Sequence, residues 1–120
     1  MSVQAGNLHQ GLPAVSGSDP EWFDTLVSRP GVRVERILSH GQITPEGDWY
    51  DQADDEFVLL LKGAARLQIE GEVAERSLTS GDWLLLPAHC RHRVTWTDPG
   101  QPTLWLALHL AVLAGLESAQ

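Results

Sequence analysis

From Phe57 to Leu86 the chain is cut by glycines into short apolar runs, and this spacing constrains the fold more than any other feature. Phe57–Lys62 is apolar up to its last residue, as in a strand covered on both faces. Gly63 breaks it. Ala65, Leu67 and Ile69 then alternate with Arg66, Gln68 and Glu70, and Glu70-Gly71-Glu72 marks a hairpin turn. Val73–Leu78 continues to Ser80-Gly81-Asp82, which turns into Trp83–Leu86. Runs this short, separated by turn residues, are strands. Pro87–Arg91 bends the chain, after which His92, Val94 and Trp96 share one face while Arg93 and Thr95 share the other. Asp98-Pro99-Gly100 is a turn before Thr103–Leu110. Upstream, Val32–Ser39 alternates with imperfect phase, and residues 41–47 (GQITPEG) form a turn-rich connection. With no sizeable helix between the strands, the sheet is antiparallel and the class all-β.

The rest of the 120 residues frames this barrel. Residues 1–18, rich in Gly, Ser, Gln and Pro without apolar period, read as a flexible arm. Residues 19–30 read as a short N-terminal helix. Ser18-Asp19-Pro20-Glu21 supplies a cap candidate, Pro at the first position and acid in the first turn, and Trp22, Phe23, Leu26 and Val27 share a face before Arg29-Pro30-Gly31 stops it. The barrel occupies 31–110, and 111–120 is a tail. One domain of this size buries enough surface to fold without a staple.

Charge and cysteine content narrow the partners. Sixteen acidic against eight basic residues give a net charge of −8, which disfavours DNA or RNA. Arg91 and Arg93, two apart, are a solvated pair or a clamp for one anionic group. The lone Cys90 excludes an internal disulfide; with no leader-like segment and no apolar run of membrane-spanning length, a cytoplasmic protein is expected. Cys90 itself, between His89 and Arg91 but without a supporting Asn or Asp, reads as an inert thiol.

The order of residues resembles the cupin superfamily across about Val32 to Leu110. Glu56 followed by six residues and Gly63 matches the second half of that family's first motif; Gly81, Pro87 and His92 match its second motif. The resemblance implies an antiparallel jelly-roll β-barrel. In metal-binding members two histidines and the glutamate of the first motif join the second-motif histidine around one divalent ion. Here only Glu56 and His92 carry over. The first-motif histidine positions hold Tyr50 and Gln52 in one register, or Trp49 and Asp51 in the other. His89 stands where the second motif has its glycine, and Trp96 where it has Asn.

The residues themselves support a site at this place. Strand alternation puts Glu56 in phase with Val58 and Leu60, so its carboxylate points inward, and a buried carboxylate requires a partner. His92 heads a strand whose next same-face residue, Val94, is apolar, and imidazole suits zinc, iron, nickel or copper. Gln52 and Tyr50 share a strand face and offer an amide and a phenolic oxygen; Asp51 is the anionic option if the register shifts by one. Tyr50 and His89 are the candidate acid and base, with His89 alternatively a metal ligand or a rim residue. Trp49, Tyr50 and Trp96 are candidates to line a ligand pocket, and core packing is the ordinary role of all five tryptophans. His109, alternating with Leu108 and Leu110, faces either way.

Two functions follow from the resemblance. One is a metal-dependent enzyme on a small organic substrate, of oxygenase, isomerase or lyase type, with Zn, Fe, Mn or Ni held by Glu56, His92 and one or two of Gln52, Asp51 and Tyr50. The other is a metal-free module that captures or senses a small molecule. A homodimer is expected on either, because the two-sided apolar run Phe57–Leu61 needs cover on both faces.

Overall fold

The computed structural model describes residues 2–112, and the tail expected at 111–120 lies outside them from residue 113 onward. The described residues form eight strands: β1 (Trp22–Arg29), β2 (Val32–Ser39), β3 (Asp55–Lys62), β4 (Ala64–Ile69), β5 (Arg76–Thr79), β6 (Trp83–Leu86), β7 (His92–Thr97) and β8 (Thr103–Leu110). They form a five-stranded sheet, β1-β2-β8-β3-β6, facing a three-stranded sheet, β5-β4-β7, with every pairing antiparallel. Val58, Leu60, Ala65, Leu67, Leu78, Leu86 and Trp105 meet between the sheets as the core. Among the described residues no helix is long and apolar enough to cross a membrane.

The segment 19–30 is not a helix. It is β1, which runs from the Trp22↔Leu38 pair to the Arg29↔Val32 pair of a hairpin closed by Pro30 and Gly31. Pro30 has its φ fixed by its ring and Gly31 takes φ +80°, a geometry that only glycine adopts freely. The register shifts between Thr25 and Val27, so a β-bulge sits at Leu26. Asp19 caps no helix; its carboxylate accepts hydrogen bonds from the Ser16 main-chain N–H (2.9 Å) and hydroxyl (3.0 Å), closing a turn.

Gly63 marks where the chain leaves the five-stranded sheet for the other. Its φ is +98°, and a Cβ there would lie 2.5 Å from Thr103 Oγ1 and 2.7 Å from Thr103 Cα. The 42–52 stretch, outside any strand but for one bridge, flanks β7: the Thr44 N–H donates to the Val94 carbonyl (2.9 Å) and Tyr50 exchanges main-chain bonds with His92.

The five-stranded sheet has an unusual polarity. On β2, Arg33, Glu35 and Ile37 face the barrel cavity, while Val34 belongs to the other face. On that outer face the cross-strand row Leu85, Phe57, Leu108, Val34 and Val27 is wholly apolar. The neighbouring row carries Trp83, Leu59 and Leu106 before ending in the ion-paired Arg36 and Asp24 (2.7 Å). Trp83 is 57% exposed and stacks on Phe57 at 5.2 Å; Leu85 is 53% exposed. From residues 1–18, the carbonyls of Leu8 and Gln10 accept from Arg36 on this sheet (3.0 and 2.7 Å).

Candidate functional site

Alternation along β3 sends Glu56, Val58 and Leu60 inward, as the sequence predicts, and all three are buried. His92, the first residue of β7, reaches across from the opposite sheet. Its Nε2 lies 3.6 Å from Glu56 Oε1, too long for a full hydrogen bond, so the contact is mainly between charges. His92 Nδ1 lies 2.9 Å from the Cys90 carbonyl, which can only accept; the Nδ1 proton is thereby fixed, and Nε2 is turned to the cavity. Gln52 donates its amide to Glu56 Oε1 at 3.0 Å. The Tyr50 ring stacks on the His92 ring, with centroids 5.5 Å apart.

These contacts set the acidities. Burial pushes the Glu56 carboxyl up, but His92, His109 and the Gln52 amide together outweigh it and hold the group below the usual carboxylate range. Burial likewise opposes charging of His92, and Glu56 with the Cys90 carbonyl overcomes it, so His92 titrates above an ordinary histidine. Burial, and then the Glu21 charge, raise the Tyr50 phenol and keep it a proton donor.

A cavity of about 310 Å3 opens beside this pair. Its polar lining comes from Tyr50, Gln52, Glu56 and His92 together with Glu21, Arg33, Glu35 and His109; Val58, Leu67, Leu86, Val94 and Trp105 supply apolar wall. Three of these polar groups were not singled out from the sequence. Glu35 is buried and its Oε1 lies 2.9 Å from His109 Nε2, while Arg33 sits 3.7 Å from its other oxygen. His109 stands directly opposite Glu56 across β8 and β3. Two carboxylate–imidazole pairs therefore share one cavity. The signal for Glu35 was the β2 alternation itself, provided the polar side is taken as the inner one.

Other expected residues lie elsewhere. Asp51 faces away from the cavity and its carboxylate contacts His89 Nδ1 at 2.9 Å, in a pair open to solvent. The register with Tyr50 and Gln52 inward is the one adopted. His89 is thus a rim residue, and it takes φ +63°, which explains why the resembling motif has glycine there. Trp96 points away from the barrel and packs under Arg66, 4.7 Å from the ring centroid. The reason is a register shift in β7: Arg66 pairs with Trp96 but Leu67 with Val94, so Thr95 is a bulge that reverses the alternation and turns Thr97 inward instead. Trp49 also lies outside the cavity, against Arg91 and Arg93 (5.3 and 5.9 Å). Neither arginine lines the cavity: Arg91 pairs with Glu70 at 2.6 Å, and Arg93 donates to the Thr44 carbonyl at 3.2 Å. The Cys90 thiol is raised by burial and by Glu72 and Glu70, the opposite of activation.

The donor set argues against tight capture of a transition metal. Glu56 and His92 are strong ligands, but Gln52 is a neutral amide already committed to Glu56 and Tyr50 holds its proton. Among the described residues no group of three or more His, Cys, Asp or Glu converges as a metal site.

Comparison with known proteins agrees with the geometry. The cupin domain family model matches residues 37–109. A solved protein from Ralstonia eutropha JMP134, provisionally named a mannose-6-phosphate isomerase, is 47% identical over 92% of this chain and 100% of its own, with a TM-score of 0.86. A cupin superfamily protein of Desulfitobacterium hafniense DCB-2 is 18% identical, covering 84% of each chain with a TM-score of 0.68. A Cupin 2 conserved barrel domain protein of Salinispora arenicola CNS-205 is 17% identical, covering 93% of this chain and 92% of that one, with a TM-score of 0.66. No curated protein matches the chain.

Proposed function

The chain belongs to the cupin family, and on that premise we propose that its barrel binds one small polar organic molecule and moves a proton on it, as an isomerase does. The observation that carries this is the buried Glu56–His92 pair, 3.6 Å apart and facing a cavity of ligand size. The direction of the two titrations makes His92 the donor and Glu56 the acceptor. His92 would give its Nε2 proton to a carbonyl oxygen while Glu56 takes one from the adjacent carbon. The resulting enediol would regain a carbon-bound proton at the neighbouring position, so no oxidant or reductant is needed. Tyr50 supplies a further neutral donor. The provisional name of the Ralstonia eutropha relative points to the same class of chemistry.

The test is proton exchange. Incubating the protein in D2O with mannose or mannose 6-phosphate should place deuterium on C1 or C2, read by NMR, and Glu56→Gln or His92→Gln should abolish it. No exchange with any aldose tried would remove the enzymatic reading.

A second reading, capture without turnover, is favoured by one contact. The Gln52 amide already occupies Oε1, one of the two oxygens of the proposed base. Under this reading a ligand raises thermal stability and stays unchanged.

On either reading the protein pairs with a second copy through the outer face of the five-stranded sheet. An apolar row from Leu85 to Val27, with its flanking charges already paired as Arg36–Asp24, suits an isologous, largely uncharged contact.

A further inference from the structure

Counting charges around the cavity leaves one carboxylate without a counter-ion. Glu35 is answered by His109 at 2.9 Å and Arg33 at 3.7 Å, and Glu56 by His92 at 3.6 Å. Glu21, just before β1, lines the same cavity and accepts a hydrogen bond from the Ser39 hydroxyl, a fully buried group. Among the described residues no Arg, Lys or His makes a salt bridge with it. A half-buried carboxylate with only a hydroxyl partner is costly to ionise, and burial duly pushes this one up.

Two further features belong to the same wall. Phe23 and Tyr50 line the cavity with exposed rings, 55% and 40% accessible, and ring faces attract cations. His109 is 5% exposed, and its Nδ1 is a buried polar atom with no partner. Of the nearby arginines only Arg33 lines the cavity, and it sits 3.7 Å from Glu35; Arg91 pairs with Glu70 and Arg93 donates to the Thr44 carbonyl outside it.

We infer that the cavity takes a small ligand bearing an ammonium group, with Glu21 as its counter-charge, and that it discriminates against phosphorylated or carboxylated molecules. This rests on the reading of the barrel as a ligand pocket. It assigns Glu21 a role in specificity that no cupin motif position covers. It also separates this chain from the phosphate ester in its Ralstonia eutropha relative's provisional name.

The imidazole signals of the five histidines provide the readout, since His92 and His109 line the cavity while His9, His40 and His89 do not. Mannosamine, mannose and mannose 6-phosphate form a matched series of positive, neutral and negative probes, titrated below the amine's own pKa. Mannosamine should move the His92 and His109 signals at about one-tenth the concentration that mannose 6-phosphate requires, the size of one charge-assisted contact. In Glu21→Gln the advantage of mannosamine over mannose should vanish, with mannose itself unchanged. Mannose 6-phosphate binding as well as mannosamine would overturn the charge inference and leave the pocket standing. Equal weakening of mannose and mannosamine in the variant would make Glu21 merely structural and overturn it too. Silence of His92 and His109 toward all three probes would sink both the inference and the pocket. The wild-type series decides the charge preference even if the variant does not fold.

Discussion

Tyr50 and His92 are joined twice: they exchange main-chain hydrogen bonds of 2.7 and 3.1 Å, and their rings stack at 5.5 Å. This bridge carries the 42–52 stretch onto the edge of the three-stranded sheet, and with it the Gln52 amide onto Glu56. Replacing Tyr50 by Phe should keep the stack and stability, within about 0.5 kcal/mol, while Tyr50→Ala should loosen the whole stretch. Amide exchange at residues 44–52 distinguishes the two.

The Glu56–His92 pair makes stability depend on pH in two windows. His92 has its folded pKa raised, so its contribution is complete below about pH 6.5, the unfolded value, and is lost as pH rises through the folded one. Glu56 is lowered, so its contribution is present above about pH 4.5 and is lost as pH falls through its folded value. Urea unfolding should show a plateau between these limits. Glu56→Gln should cost about 2 kcal/mol on the plateau and flatten both shoulders; unchanged shoulders would mean that the pair does not form.

Protein purified without an affinity tag should carry well under one transition metal per chain, and a chelator should leave Tm unchanged. Glu56 and His92 with a neutral amide do not hold such an ion tightly, His109 is committed to Glu35, and among the described residues no three donors converge. One equivalent of metal, with a lower Tm on chelation, would restore the metal-dependent alternative.

Light scattering should report twice the chain mass at micromolar concentration. Trp83→Glu with Leu85→Glu, two charges on the exposed end of this outer face, should give a folded monomer. A monomeric wild type would remove the second copy from this face.

His89 holds φ +63° in a position that suits glycine. His89→Gly should stabilise the fold by about 0.5–1 kcal/mol, because the left-handed strain exceeds the value of the exposed His89–Asp51 contact. A loss of stability would assign that contact more weight than its exposure allows.

Two residues show where the sequence stopped being legible, and both sit beside bulges. Leu26 is the extra residue of β1; with it, Trp22, Phe23, Leu26 and Val27 lose the two-residue period and acquire a helix-like spacing. Trp96 was assigned to the cavity by counting twos from His92, and the bulge at Thr95 reversed the count. Glu56 and His92 were found because their strands are regular up to the residue concerned. Glu35 is not marked by the sequence, and His109 is left facing either way, for a different reason. Their strands are apolar on the outside, so the usual equation of apolar with inward fails on β2, and on β8 apolar neighbours on both sides leave no signal.

Gly63 sits at the far end of β3 from Glu56, where a single methyl group would collide with Thr103. The corner where the chain passes from one sheet to the other is therefore closed against β8 by a residue that has no side chain. One sheet carries the Glu56 carboxylate and the other the His92 imidazole, and the corner that joins the sheets lies seven residues from Glu56. A larger side chain at that corner would have to displace Thr103 on β8 and, through β3, would shift the Glu56–His92 spacing without touching either group.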